Sequence, residues 1–165
     1  MTILDPEHFK EIMRHWAAGV TVVTSRWGEQ IHGATVNSFT SVSLTPPLVS
    51  VSFAKTSHTY QLIHQAKIFA VNILGEQQRV ISERFAGRPV DVADRFQNES
   101  HHPAVTGAPI LDCAIAFADC QAMHEFDLGT NVILVGLVVA GRVLNEAKPL
   151  VYSNRQYWQL THESK

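Results

Sequence analysis

The apolar residues change their spacing along the chain, and the changes mark out its elements. Phe9, Ile12, Met13 and Trp16 recur at helical intervals behind Asp5-Pro6, an aspartate able to cap and a proline preset for the first helical position. They predict an amphipathic helix covering a core, with Gly19 suited to the residue just past its end. From Val20 the pattern turns extended and β-branched: VTVVTS, a turn at WGEQ, IHGATVNSF, then LVSVSFA after Pro46-Pro47. TSHTYQLIHQ predicts a short helix, KIFAVNIL another strand, and GEQQRVISERFAG a further helix closed by Gly87. The stretch 88–109 is polar and irregular, long for an unstructured loop, and so either functional or built of turns. Strands return in CAIAFADCQAMHEF and NVILVGLVVAGRVL, with a closing pair near PLVY and YWQL.

Along the first of these late strands Ala114, Ala116, Ala118, Cys120 and Ala122 share one face, all small. Such a face lets another backbone pack close, within a barrel or across subunits. No repeat, low-complexity tract or linker interrupts the chain, so residues 1–165 read as a single domain, an antiparallel β-barrel with peripheral α-helices.

Composition narrows the partners. With 45% hydrophobic residues the chain can bury a substantial core. The 13 basic and 15 acidic residues leave a formal charge of −2 without a run of like charge, which draws neither nucleic acid nor anionic lipid. No stretch approaches the roughly 20 apolar residues of a membrane span, and the charged MTILDPEHFKEIMRHW lacks the apolar core of a secretory signal. A cytoplasmic location without membrane attachment is expected. Cys113 and Cys120, read on one strand, would lie roughly 23 Å apart at about 3.3 Å per residue and on opposite faces, so reduced thiols are expected.

Several chemistries are disfavoured by spacing. There is no G-x-G and no Walker-type loop, which argues against a Rossmann site. His101-His102 has no third ligand at suitable spacing, and His8 and His15 lie about 10 Å apart on a helix, so no metal is expected. Neither cysteine sits in a nucleophile signature, and G-x-S-x-G is absent.

Small hydroxyl and amide residues instead concentrate at two strand ends. One group is Thr35-Val36-Asn37-Ser38; the other runs from Ser52 through Phe53, Ala54, Lys55, Thr56, Ser57 and His58 to Thr59. In the second, an apolar strand gives way to a helix with Thr56 or Ser57 placed as N-cap. That arrangement leaves N–H groups free at the positive end of the helix dipole, with Lys55 beside them. It is competent to bind phosphate, and it also describes an ordinary capped helix.

At these residues the sequence resembles the short-chain flavin reductase family, the FMN-binding split-barrel proteins that include reductase components of two-component flavin monooxygenases such as 4-hydroxyphenylacetate monooxygenase. The resemblance runs in order through GVTVVT at 19–24, HGATVNSFTSVSLTPPLVSVSFAKTSHT at 32–59, FAVNIL at 69–74, ERFAG at 83–87, LGTNVILVGLV at 128–138 and PLVY at 149–152. It implies a six-stranded antiparallel split barrel, a homodimer with flavin near the subunit interface, and FMN or FAD reduced by NADH or NADPH. A flavin-dependent monooxygenase would receive the reduced flavin. Thr35, Val36, Asn37 and Ser38 would hold the flavin ring and ribityl chain, and Ser52, Phe53, Ala54, Lys55, Ser57, His58 and Thr59 the phosphate. Phe85, with Gly87 in the same ERFAG element, would lie beside the flavin.

One position departs from the family. A histidine commonly follows the Gly-Asp or Gly-Thr pair, whereas Gly129-Thr130 is followed here by Asn131, which matches its reach but cannot become cationic. The departure bears on donor preference and rate rather than on flavin binding. Asn131, with Tyr152 or Arg155 near the closing strands, is the candidate for positioning the nicotinamide. No residue is expected as acid, base or nucleophile, because nicotinamide and flavin carry the reactivity themselves. The alternative is a flavin-binding sensor or carrier without catalysis on the same barrel. An oxidase or haem-handling split barrel fits the NSF and KTSHT elements less well.

Overall fold

Asp5 caps the first helix, α1 (Pro6–Arg14), accepting the N–H groups of Glu7 at 3.0 Å and His8 at 3.1 Å. The computed structural model, which describes residues 3–88 and 94–161, corrects two expectations for this helix. His15, not Gly19, closes it, and Gly19 lies in a short strand, β1 (Ala18–Gly19). Its apolar face covers no core: Phe9 is 55% exposed and Trp16 68%. Periodicity reveals which face is apolar, but not whether this chain supplies the surface that meets it.

The strands that follow are β2 (Thr21–Trp27), β3 (Gln30–Val36), β4 (Thr40–Leu44) and β5 (Pro47–Ala54). Next come α2 (His58–Ala66), β6 (Ile68–Ile73), α3 (Arg79–Phe85), β7 (His101–Pro103) and β8 (Pro109–Leu111). The chain ends in β9 (Ala116–Leu128), β10 (Asn131–Val143), β11 (Val151–Ser153) and β12 (Gln156–Trp158). Seven strands form one antiparallel sheet in the order β3-β2-β6-β9-β10-β5-β4. The strand beyond the expected six is β4, whose TSVSL sits on the sheet edge with its alternating Val42 and Leu44 exposed, too short and too polar a run to stand out.

No ladder joins the edge strands β3 and β4 among the described residues. They are nevertheless linked through only Asn37, Ser38 and Phe39, so the sheet must curl until its edges approach. Ala34, Val36 and Phe39 from that side pack on the cluster of Val51, Phe53, Phe69, Val71 and Leu134. The small face of β9 points into this interior: Ala118, Cys120 and Ala122 join the same cluster, so this face packs close within the sheet.

Cys113 precedes β9 instead of lying on it, and both thiols are free. Burial, with Asp119 adding to it, pushes Cys120 up to about 12. Part of the stretch 88–109 is a turn and the β7–β8 hairpin; residues 89–93 lie outside the described residues. The buried Asn72 amide ties that hairpin to the sheet, donating to the Val22 carbonyl at 3.1 Å and accepting the Leu111 N–H at 2.8 Å. Finally, β11 pairs with β1 and β12, which sets Tyr152 opposite Ala18 at the mouth of the sheet.

Candidate active site

The end of β3 and the start of the 37–39 connection open into a cavity of about 170 Å³. Thr35, Val36 and Asn37 form one wall; Tyr152 and Tyr157 of the closing ribbon and Ser82 of α3 form the others. The wall is held from behind, since the Thr35 hydroxyl donates to the Ser82 carbonyl at 2.7 Å and the Ser82 hydroxyl lies 2.9 Å from that of Tyr157. Asn37 also borders a second hollow with Tyr152 and Arg155, so three of the predicted positions meet on one continuous groove.

Ser38 links this groove to the second polar segment. Its hydroxyl donates to the Ser52 carbonyl at 3.0 Å and accepts the Ser52 N–H at 3.1 Å, clamping the 37–39 connection to β5. Two residues on, β5 ends at Ala54, a turn bonds the Ser57 N–H to the Ala54 carbonyl at 2.9 Å, and α2 begins. Ser57 stands at the N-cap in extended conformation, but its side chain makes no capping bond. The hydroxyl and the first amides of a nine-residue helix are therefore left without capping bonds to each other, the donor set that suits a phosphate.

Lys55 lies beside them and pairs with Asp127 at 2.5 Å, and that hydrogen bond holds the Asp127 carboxyl below its usual range. Both partners are open to solvent, so the pair is weak and can yield to a stronger anion.

Other predicted residues take different places. Phe53 is buried in the core and reaches the site only through its main chain. Thr59 is fully buried with its hydroxyl 2.8 Å from Nδ1 of His32, so its side chain ties α2 to β3 and is not turned to a ligand. Phe85 is fully buried, packed under Gly33 and edge-on to Phe96 at 5.1 Å, so it supports β3 from below. Gly87 adopts φ of +76° just past α3, between the cavity-lining Ala86 and Arg88. His58 sits at the start of α2, its ring 4.7 Å from that of His32. Burial, followed by the charges of Arg95 and His58, lowers His32 to about 4.

Asn131 separates from Tyr152 and Arg155. It opens β10 opposite Ala54, its side-chain oxygen accepting the Thr130 hydroxyl at 3.1 Å, while the Lys55 N–H bonds the Thr130 carbonyl at 3.0 Å. It thus belongs with the Lys55 turn. Ser82, Arg88 and Tyr157 line the cavity although nothing in their sequence surroundings signals it, because their proximity depends on how α3 and β12 fold over β3.

The flavin reductase like domain model matches residues 13–161 of this chain. The reductase component of 4-hydroxyphenylacetate 3-monooxygenase from Thermus thermophilus is 35% identical to it over 96% of this chain and 99% of the relative. The crystal structure of flavin reductase HpaC complexed with NADP+ matches with a TM-score of 0.85 at 34% identity, covering 94% of this chain and 98% of that one. The Streptomyces globisporus NADH:FAD oxidoreductase SgcE6, in complex with NAD and FAD fragments, matches with a TM-score of 0.88 at 27% identity over the whole of both chains. Two Rhizobium meliloti relatives, 40% and 39% identical over 84% of this chain, are longer, and the chain spans 44% and 59% of their length.

Proposed function

The chain belongs to the flavin reductase like family, and from that membership we propose that it is an NAD(P)H:flavin oxidoreductase supplying reduced FMN or FAD to a flavin-dependent monooxygenase. The observation that carries the reading is the Ser38 clamp on Ser52, which makes the Thr35–Ser38 wall and the open N-terminus of α2 one continuous surface. The flavin ring and ribityl chain rest along Thr35 to Ser38. The phosphate meets the Ser57 hydroxyl, the amide of the exposed His58, and Lys55 released from Asp127. Tyr152 borders the same groove from the opposite side, where nicotinamide would approach the ring.

When bound, the two nucleotides supply hydride donor and acceptor between them. The side chains then have only to bring the rings into contact and keep water from that contact, and a wall of Thr, Asn and Tyr does this without a charged catalytic group. Anaerobic mixing of the protein with FMN or FAD and either nicotinamide donor tests the reading. Catalytic bleaching of the flavin absorbance is expected; binding without bleaching would identify a flavin carrier instead.

Ser57→Ala is expected to weaken FMN by about 1–3 kcal/mol, the scale of a hydrogen bond to a charged group. Riboflavin, which has no phosphate, should be nearly unaffected. Titration of both ligands by fluorescence checks this, and equal losses would remove the phosphate from the α2 terminus.

We also propose that the chain works as a homodimer, one domain per subunit, on the curled sheet as a split barrel. A cavity of about 170 Å³ falls short of the roughly 300 Å³ at which small-molecule sites begin. Beside it the apolar face of α1 stands exposed, with Met13 and Trp16 on the groove that holds Asn37 and Arg155. A second copy would cover that face and deepen the site. Light scattering should return twice the 18.3 kDa chain mass, and flavin bound at full stoichiometry by a monomer would contradict it. Reliance on the nicotinamide pool favours the cytoplasm, and no helix among the described residues is long and apolar enough to cross a membrane.

A further inference from the structure

Next to the cavity at Thr35–Asn37 lies a larger hollow of about 420 Å³ that shares Arg88, Tyr152 and Tyr157 with it. Among the described residues that line it, three arginines, Arg79, Arg88 and Arg155, stand against the single carboxylate of Glu83. Glu83 is already bonded by Arg79 at 2.8 Å, and the Arg79 guanidinium lies 5.3 Å from the centre of the Tyr157 ring, which fixes it at the rim. Arg88 is held by its own N–H on the Glu83 carbonyl at 2.9 Å.

The third arginine sits where its backbone is least at ease. Asn154 and Arg155 form the two-residue turn between β11 and β12, with φ of +46° and +62°. Such a turn favours asparagine first and glycine second, and Arg155 occupies the glycine position. A left-handed conformation kept by a long cationic residue at the lip of a basic hollow points to a use for its guanidinium there.

We propose that Arg79, Arg88 and Arg155 form a subsite for a phosphate group of the nicotinamide dinucleotide, whose nicotinamide end lies toward Tyr152 and Asn37. The inference rests on the reductase reading. Two phosphate positions of the donor share this chemistry: the 2′-phosphate found only in NADPH, and the pyrophosphate common to both donors. Guanidinium groups suit either, since they match phosphate oxygens with paired N–H donors.

The test titrates the full chain with ADP and with 2′,5′-ADP by calorimetry, beside steady-state KM values for NADH and NADPH. Arg155→Ala is expected to weaken 2′,5′-ADP at least tenfold and raise the KM of the matching donor, with FMN affinity unchanged. Arg155→Lys should recover part of the loss. A loss confined to 2′,5′-ADP and NADPH assigns the 2′-phosphate, and an equal loss of ADP and NADH assigns the pyrophosphate. Unchanged affinity for both probes, or a parallel fall in FMN affinity, overturns the subsite. Wild-type protein that binds the probes through Arg155 yet reduces no flavin would keep the subsite and remove the reductase reading, so the two failures are distinct. A thermal melt of each variant guards against misfolding, and Arg79→Gln, outside the lining of the flavin cavity, provides a second variant away from the turn.

Discussion

Phe69→Ala should lower the unfolding free energy by about 3–5 kcal/mol, the cost of deleting a large buried aromatic and leaving the space behind it. Phe69 is fully buried near the start of β6, opposite Cys120 of β9, and its ring fills the interior of the curled sheet. It can do so only because Gly136 on β10 has no side chain: a Cβ there would stand 2.4 Å from the ring's Cζ. Gly136→Ala therefore overpacks the same spot and should cost about 1–3 kcal/mol. Combining Gly136→Ala with Phe69→Leu should cost less than the sum of the single changes, because the smaller side chain removes the clash. Chemical denaturation of the four proteins checks it, and strict additivity would show that the two positions do not meet. Set against typical stabilities of about 5–15 kcal/mol, the alanine variant alone can bring the protein near its unfolding threshold.

The second large effect is a loss of stability in mild acid. His32 is held neutral by burial first and then by the neighbouring charges of Arg95 and His58, with Asp94 opposing them, and its pKa falls from 6.5 to about 4. Between those values the unfolded chain binds a proton that the folded chain refuses. The contribution is thus fully present above about pH 6.5 and is lost as pH falls toward 4. Because the ring is only half-buried, solvent screening reduces the effect, and about 1–2 kcal/mol should disappear between about pH 7.5 and pH 5. His32→Asn keeps a polar atom near the Nδ1 position that meets Thr59 but cannot titrate, so its stability should vary less over this interval. Urea melts at both pH values decide it, and equal slopes for the two proteins would acquit His32. Glu125, desolvated yet bonded by Lys67, His64 and Tyr60, and Asp127, bonded by Lys55, have lowered pKa values. Their stabilising effects are lost only at lower pH, which separates them from the histidine.

The acid effect also bears on the site, because His32 bonds Thr59 and touches His58 at the first turn of α2. Charging His32 would disturb the residues at the α2 terminus that are proposed to meet the phosphate. Flavin affinity should therefore weaken over the same interval in which stability falls.

Local chemistry made much of this protein legible in the linear chain. Asp5-Pro6 caps α1 where expected, the β-branched runs became β2, β3, β5, β6 and β10, and KTSHT brought a strand end to a helix start with an open N-cap. These features depend on residues within a few positions of one another, so propensity, capping and alternation suffice to reveal them. β4 escaped because its alternation is only two apolar residues, Val42 and Leu44, in a five-residue run on an exposed edge. What faces what was a tertiary matter. Nothing local distinguishes the apolar face of α1, left uncovered, from one that meets a core, or shows that Phe85 is sealed under Gly33. The separation of Asn131 from Tyr152 and Arg155, and the gathering of Arg79, Arg88 and Arg155 around one hollow, follow from strand order and from the closing ribbon pairing with β1. Those contacts join residues distant in sequence. Only the packing of the sheet, which weighs all its strands at once, could decide them.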